Sequence, residues 1–276
     1  MGKMLSDEAV ASYRRDGFYF PVPVLSESEA LGYRRRLEAA EAANGGPLKG
    51  NQRHKVHILH RWAYELVTHP RILDAVEDIL GPNLICWTTN FFIKEAHDPA
   101  FVSFHQDATY WGLDPPDVMT AWVALSDCPM RSGPMVFAPG THKTQLAHRD
   151  TFHKDNLLTR GQEIAAEVDP KDAVAAILKP GEISLHHVMV VHGSRPNESD
   201  DRRIGLAIRY IPTHVRQVKL RDAAILVRGR DDFGYFDRER VPETDGGPAE
   251  RAAHKAAMDR QVAVLYEGTG KTEMRD

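Results

Sequence analysis

The stretch Ser103-Phe-His-Gln-Asp-Ala-Thr-Tyr-Trp111 contains two potential metal ligands, His105 and Asp107, separated by one residue. On a β-strand the side chains of residues i and i+2 point to the same face, so both ligands can bind one ion while Gln106 points away. A second histidine, His192, lies in the segment Val190-Val-His-Gly-Ser194. Two imidazoles and one carboxylate can occupy one face of an octahedral metal and leave three positions open, which is typical of non-haem Fe(II) oxygenases.

A His-x-Asp pair also occurs by chance, and the alternative is an exposed polar pair with an unrelated buried histidine. The surroundings of His192 favour the metal site. This histidine ends the apolar run Ile183-Ser-Leu-His-His-Val-Met-Val-Val191, which is typical of a buried strand. Arg203 then stands at the head of another apolar run, Ile204-Gly-Leu-Ala-Ile208.

The pattern of helices and strands predicts a mainly β protein with flanking helices. The N-terminal part is predicted to be helical. Ser6 and Ser26 are suited to be the N-caps of two helices, and a further helix is expected from Pro70 to Leu80. Short apolar runs between turns follow and favour an antiparallel sandwich or barrel. These runs are 84–93, 101–106, 118–125, 135–138, 182–192 and 204–211. An irregular excursion over about 143–180 is typical of an active-site lid, and Ala249 to Leu265 predicts a last helix.

Composition limits the function classes. The chain has 276 residues, 42% hydrophobic and 27% charged, as in an ordinary globular protein. A net charge of -4 argues against a nucleic-acid partner, and no apolar run is long enough to cross a membrane. Two cysteines and a start without a hydrophobic signal core suggest a cytoplasmic location. The oligomeric state stays open.

Several motifs together resemble the phytanoyl-CoA dioxygenase family of Fe(II)- and 2-oxoglutarate-dependent oxygenases. They are Phe104-His-Gln-Asp107, Thr120-Ala-Trp-Val-Ala-Leu125, Gly133-Pro-Met-Val-Phe-Ala-Pro-Gly-Thr-His142, and His192-Gly-Ser-Arg-Pro-Asn197 followed by Arg203. The opening, Leu5-Ser-Asp-Glu8 and Asp16-Gly-Phe18, is also similar. The resemblance implies a double-stranded β-helix, the jelly roll of cupin-like proteins. We expect one domain over 1–276, with a helical part at about 5–80, the jelly-roll core at about 83–212 and a C-terminal extension at 213–276.

The resemblance also assigns roles to residues. His105, Asp107 and His192 would hold Fe(II), with 2-oxoglutarate and O2 at the open positions. Arg203, at the family's spacing from His192, would bind the distal carboxylate of 2-oxoglutarate, since a guanidinium matches a carboxylate with two hydrogen bonds. Its neighbour Arg202 would face the surface. Ser194 would donate to the same carboxylate or merely form a turn, and Trp122 would line the cosubstrate pocket or merely pack in the core.

Other candidates are less specific. Thr88 and Asn90 share one strand face by alternation, and a polar Asn90 in an apolar strand needs a partner, either within the fold or in a ligand. We expect both residues to contact the cosubstrate, 2-oxoglutarate. Lys55 and His57 belong to a basic cluster that is either exposed linker or the mouth of the site, where it would meet an anionic substrate. Tyr110 and Trp111 directly follow the metal motif and would line the substrate side.

The implied reaction is hydroxylation of a small metabolite, anionic (carboxylate or phosphonate) if Lys55 and His57 contact it, with release of succinate and CO2. No catalytic acid or base is needed beyond the metal ligands. Halogenation is disfavoured, because Asp107 fills the position that a halide would take. Two alternatives remain, a non-catalytic cupin-like metal-binding or sensor protein, against which Arg203 argues, and a metal-dependent isomerase or lyase, which would not depend on oxygen.

Overall fold

The computed structural model describes residues 2–165 and 173–275. Helices within these residues are α1 (Asp7–Asp16), α2 (Glu27–Ala43), α3 (Val56–Leu59), α4 (Arg61–Val67), α5 (Pro70–Leu80), α6 (Ala108–Trp111) and α7 (Pro248–Leu265). Strands are β1 (Phe18–Pro23), β2 (Leu84–Lys94), β3 (Val102–His105), β4 (Leu113–Asp114), β5 (Met119–Ala124), β6 (Met135–Phe137), β7 (His148–Asp150), β8 (Gln162–Ile164), β9 (Val174–Ala175), β10 (Glu182–His187), β11 (His192–Ser194), β12 (Arg203–Pro212), β13 (Arg216–Gln217), β14 (Ala223–Arg228) and β15 (Asp237–Arg238).

The first helices begin where their caps are. Ser6 accepts a hydrogen bond from the backbone N–H of Ala9, and α1 ends at Gly17, which has the left-handed φ of 85° that favours glycine. Ser26 and Glu29 form a capping box at the start of α2. The predicted caps and the helix at 70–80 are thereby confirmed.

Two antiparallel sheets form the core. The larger has the strand order β1-β10-β5-β12-β2-β14-β15, in which only the β14–β15 pair is parallel among the described pairings. The smaller has the order β3-β11-β6-β9. Side chains of the two sheets meet in one cavity and in one apolar cluster, which contains Trp122 and Phe137. The predicted jelly-roll core is confirmed.

The larger sheet presents two different faces. On β12, Ile204, Leu206, Ile208 and Tyr210 join the apolar core that also includes residues of α1, α2, α4 and α5. The alternate residues of β12 point to the opposite face, toward the smaller sheet. Because the helices cover the outer face, the inner face is left to form the cavity between the sheets.

Two predictions about elements need correction. The run 182–192 is not one strand, because β10 belongs to the larger sheet and β11 to the smaller one, and residues 188–191 cross between them. The excursion at 143–180 contains the β7–β8 hairpin and β9, while residues 166–172 lie outside the described part.

The C-terminal extension packs onto this excursion. Arg160 is buried and donates through Nε to the backbone O of Leu265 at 2.7 Å and through a terminal nitrogen to the backbone O of Glu267 at 2.8 Å.

Within the described ranges, no helix combines the length and the apolar character that crossing a bilayer requires.

Candidate active site

His105, Asp107 and His192 come together at the mouth of the smaller sheet. His105 ends β3 and pairs directly with His192 on β11, so the two imidazole centroids are 4.2 Å apart. Asp107 Oδ1 lies 3.2 Å from His105 Nε2. One ligand atom from each residue falls within 4.8 Å of the others, and all three residues are buried. The spacing suits a single metal ion.

The strand-alternation argument for Asp107 is wrong, although the two ligands do converge. β3 ends at His105, and Asp107 has helical backbone angles (φ −64°, ψ −33°) as the cap residue of α6. The chain turns after Gln106, whose side chain binds backbone groups of Thr144 and Met189 and fastens the turn. The carboxylate therefore approaches His105 from a turn and not along a strand.

Backbone carbonyls orient both imidazoles. The Nδ1–H of His105 can donate to the backbone O of Ser103 (2.9 Å) or His192 (3.0 Å), and that of His192 to the backbone O of Val190 (3.0 Å). This tautomer leaves each Nε2 as the free lone pair for a metal. Burial, together with the neighbouring His105, lowers the pKa of His192 to about 4. Although burial opposes it, the neighbouring His105 and His192 keep the pKa of Asp107 below its ordinary value.

Arg203 lies in the same cavity and is almost completely buried, at 1% exposure. One terminal nitrogen donates to the backbone O of Gly133 at 2.8 Å, while Nε has no partner among the described residues. The guanidinium carbon is 5.4 Å from the Trp122 ring. A buried cation with spare donors, beside a two-histidine, one-carboxylate cluster, fits a dicarboxylate that chelates the metal at one end and meets Arg203 at the other.

Ser194 and Lys94 stand beside this anchor. Ser194 lines the cavity, and its Oγ accepts a hydrogen bond from Lys94 Nζ at 2.7 Å. Burial and the nearby Arg203 charge lower the pKa of Lys94 to about 6. Lys94 itself does not line the cavity, so Arg203 is the cationic side chain that reaches it at this end.

Trp122 lies flat against β12 because Gly205 has no side chain. A Cβ atom on Gly205 would lie 1.8 Å from Cζ2 of the Trp122 ring. The indole thus occupies the space that any other residue would fill, and it forms a wall of the cavity next to Arg203. Both of its expected roles, core packing and cavity lining, are compatible with this position.

A second chamber continues from the first and shares Phe92, Asp107 and Arg209 with it. Thr88 and Asn90 line this second chamber and not the one that contains Arg203. Trp111 also lines it and packs on Trp87 at 5.1 Å between ring centroids. The remaining walls come from His54, from the 143–180 excursion (Leu157, Leu158, Thr159 and Gln162) and from α7 (Gln261 and Leu265).

Lys55 and His57 are buried and do not reach either chamber, which corrects both expectations for them, an exposed linker and the mouth of the site. Lys55 is fully buried and its Nζ is 2.5 Å from Glu239 Oε1, with further hydrogen bonds to the backbone O of Trp87 and Ala223. His57 Nε2 lies 3.0 Å from the other oxygen of Glu239. This cluster joins β2, β14 and the segment after β15, so its contacts are those of an internal cross-link.

Tyr110 also lies outside the chambers. Its hydroxyl donates to Asp150 Oδ1 at 2.7 Å, and the guanidinium of Arg160 lies over its ring at 4.1 Å. It therefore supports the excursion that covers the second chamber. Of the two residues expected on the substrate side, the structure places only Trp111 there.

Arg209 lines both chambers, and the sequence reasoning did not select it. It lies on β12, where residues 203, 205, 207 and 209 share one face by alternation. Once Arg203 is taken to point inward, the same parity places Arg209 inward as well. Strand parity was therefore the signal that could have identified it.

Comparisons with known proteins agree with this site. A family model described as Phytanoyl-CoA dioxygenase matches residues 13–205. The solved structure of the non-haem monooxygenase ThoJ in its apo form shares 36% identity, with 94% of this chain and 98% of that chain covered and a TM-score of 0.81.

Two curated relatives extend the likeness. A probable alpha-ketoglutarate-dependent hypophosphite dioxygenase from Stutzerimonas stutzeri is 30% identical over 52% of this chain and 51% of its own length. The L-proline trans-4-hydroxylase of Streptomyces griseoviridis is 24% identical over 74% of this chain and 85% of its own length. The match thus spans about half the length of several curated relatives. With the family model matching well over half of its residues, the chain belongs to the phytanoyl-CoA dioxygenase family.

Proposed function

We propose that this protein is an Fe(II)- and 2-oxoglutarate-dependent dioxygenase that hydroxylates a small anionic metabolite and releases succinate and CO2. The observation that carries the proposal is the cavity that holds His105, Asp107 and His192 together with Arg203, a buried cation with an unsatisfied Nε. A metal-binding or sensor protein would need the three ligands but has no use for such an anchor.

Each residue has a part in this function. The Nε2 atoms of His105 and His192 and the carboxylate of Asp107 would hold the iron, and Arg203 would hold the distal carboxylate of 2-oxoglutarate, with Trp122 as a wall. When bound, iron and 2-oxoglutarate together supply the oxidative chemistry, which is the cofactors' own. The protein's contribution is to ligate, to orient and to keep water out, since the site is buried.

An anionic substrate is supported by charge and by the relatives. Lys55 no longer supports it, but Arg209 lines the second chamber and forms no ion pair with any described residue. Among the relatives, one is named for hypophosphite, which is an anion, and one for L-proline, which carries a carboxylate. Thr88 and Asn90 would then contact the substrate and not the cosubstrate, because they line the second chamber.

The test is succinate formation by the purified protein with Fe(II), 2-oxoglutarate and a panel of small carboxylates and phosphonates. We expect succinate to form only in the presence of oxygen, and one panel member to gain an oxygen atom by mass spectrometry. Tight metal binding without oxygen-dependent succinate would favour the sensor. Conversion of a substrate without oxygen consumption would favour an isomerase or lyase.

A further inference from the structure

Arg209 is a buried cation without a counter-ion contact. It is 6% exposed, and within residues 2–165 and 173–275 it forms no hydrogen bond or ion pair. Its guanidinium carbon lies 5.4 Å from the ring centroid of Trp111 and 5.7 Å from that of Phe92. The two rings hold the side chain in place but leave its N–H donors facing the chambers.

Buried charges usually have partners, and two buried cations outside the chambers, Lys55 and Arg160, do. Arg203, the other arginine of the cavity, would take 2-oxoglutarate as its partner under the proposed function. Lys55 meets Glu239, and Arg160 meets Asp150 and two backbone carbonyls. Arg209 differs from both because its position opens onto an internal space lined by polar groups. Such a position is costly in the unliganded protein, and it is explained if a ligand completes the pairing.

The charges of a site loaded with iron and 2-oxoglutarate would favour a substrate that carries a single negative charge. The iron dication and the 2-oxoglutarate dianion cancel, and Asp107 and Arg203 also cancel. Asp107 acts electrostatically on Arg209, but as a metal ligand it would share its charge with the ion. The positive charge of Arg209 therefore remains uncompensated in the loaded site.

We propose that Arg209 binds the carboxylate of a small organic-acid substrate and holds its apolar body against Trp111, beside the metal cluster. The planar fork of a guanidinium matches a carboxylate with two parallel hydrogen bonds, and one carboxylate supplies the one missing charge. The inference rests on the proposed function and deepens it by naming the substrate class and the residue that selects it.

The rest of the second chamber fits the same substrate. Asn90 is 8% exposed and its Oδ1 has no partner among the described residues, so it can accept from an N–H or O–H of the substrate. Trp87, Trp111, Leu158 and Leu265 provide apolar walls. The chamber thus combines one cationic anchor with apolar walls and with neutral polar side chains, which include Asn90, Thr88, Gln162 and Gln261.

The first experiment measures binding and needs no turnover. The protein is loaded with Ni(II), which suits the same ligands, and with saturating 2-oxoglutarate. Calorimetry then compares acid and amide pairs, namely proline and prolinamide, benzoate and benzamide, and phenylacetate and phenylacetamide. We expect an acid to bind at least about tenfold more tightly than its amide, from the worth of a charged hydrogen bond. Equal affinities in every pair, or no binding by any acid, would overturn the proposal.

The second experiment assigns the preference to Arg209. In Arg209→Gln the acid should lose roughly ten- to a hundredfold in affinity, while the amide, Ni(II) and 2-oxoglutarate should bind as in the wild type. Arg202→Gln is the matched control, since Arg202 pairs with Glu41 outside the chambers. If Arg209→Gln weakens Ni(II) or 2-oxoglutarate and spares the acid preference, Arg209 serves Asp107 and the proposal is wrong.

These outcomes are separable from the proposed function. Acid binding to the Ni(II) protein does not require dioxygenase activity, and oxygen-dependent succinate formation does not require Arg209 to be the anchor. Phenylphosphonate, added to the panel, distinguishes the alternative anion, which we expect to bind more weakly than benzoate because its second charge has no partner. Tighter binding of the phosphonate than of every carboxylate would overturn the assignment of the substrate class.

Discussion

Arg202 and Arg203 are neighbours in sequence but have different environments. Arg202 forms a two-pronged ion pair with Glu41, at 2.8 and 2.9 Å. Arg203 begins β12 and is directed into the cavity, where a backbone carbonyl is its hydrogen-bond partner. The difference follows from the strand, because adjacent residues point to opposite faces.

We predict that Arg203→Ala weakens 2-oxoglutarate binding far more than metal binding. The loss of a charge-assisted contact that leaves a buried carboxylate unpaired costs about 2–5 kcal/mol. Calorimetric titration of the metal-loaded variant with 2-oxoglutarate measures this loss, with Arg202→Ala as the control. An unchanged affinity in Arg203→Ala with a loss in Arg202→Ala would mean that the wrong arginine has been chosen.

Replacing Asp107 should abolish hydroxylation and leave a folded protein. Asp107→Ala removes one ligand and its negative charge, so iron would be held weakly by two histidines and 2-oxoglutarate. The vacated polar pocket costs about 1 kcal/mol or more of stability. Oxygen-dependent succinate formation is the assay and circular dichroism the folding control. Wild-type turnover by a folded Asp107→Ala protein would rule out the triad, and with it the oxygenase assignment.

The sequence predicted which candidate metal ligands come together more reliably than it predicted the secondary structure on which each ligand lies. His105, Asp107 and His192 do meet, yet Asp107 lies on a turn. Lys55 was misjudged because its partner, Glu239, is 184 residues away along the chain. No local pattern reveals such a pairing, and a basic cluster at Asn51 to His57 is equally compatible with exposure.

Strands β2, β5 and β12 of the larger sheet contribute side chains to the wall of the cavity. Their alternation was readable, and Thr88, Asn90 and Phe92 do share one face. What alternation could not show is which chamber each residue enters, because that depends on how Phe92 and Arg209 divide the space. The crossing of residues 188–191 between the sheets was likewise hidden, since an apolar run does not disclose a change of sheet.

Gly205→Ala should disturb the cosubstrate end of the cavity. The added Cβ would clash with the Trp122 ring, and overpacking of this kind costs about 1–3 kcal/mol. We expect a lower melting temperature, an altered tryptophan fluorescence and a several-fold weaker affinity for 2-oxoglutarate. Gly32→Ala, at a roomier helical position, is the control. Normal 2-oxoglutarate affinity in Gly205→Ala would show that Trp122 does not shape the pocket.

Glu239→Gln tests whether the Lys55 cluster is structural. Removing one partner of a buried pair leaves Lys55 uncompensated and costs about 3–5 kcal/mol. We therefore expect a marked fall in the free energy of unfolding, measured in urea, and little change in ligand affinity for the protein that stays folded. A stable Glu239→Gln protein with weakened binding of small acids would restore Lys55 as a substrate contact.

Because several histidines are buried, we expect the free energy of unfolding of the protein to decrease in acid. Burial lowers the pKa of His54 to about 3 and that of His187 to about 4, from 6.5. Between pH 6.5 and these values the unfolded chain binds more protons than the folded one, so the free energy of unfolding falls as the pH falls. Between pH 6.5 and 5, which lies above the pH range in which Glu and Asp titrate, histidines dominate the dependence of stability on pH.

Urea unfolding of the metal-free protein at pH 7.5, 6.5, 5.5 and 5.0 measures the effect. These pH values span roughly the range in which an ordinary histidine titrates. Stability should fall as the pH falls, and more steeply below pH 6.5, where the buried histidines add to the slope that buried Lys94 already contributes at higher pH. His187→Gln should show a shallower decline, because it removes one of the groups that take up a proton on unfolding. A stability that rises on acidification would contradict the assignment of these histidines as buried and neutral.

The family match ends at residue 205, yet Arg209, Gln261 and Leu265 complete the second chamber. The proposed metal ligands and the proposed 2-oxoglutarate anchor all fall inside the matched stretch, whereas these three residues of the proposed substrate enclosure fall outside it. Part of the proposed substrate enclosure, including Arg209, thus comes from a stretch that carries none of the proposed metal ligands. A chimera that keeps residues 13–205 and takes its tail from another relative should retain succinate formation while accepting different organic acids, which makes the tail the natural target for redesign.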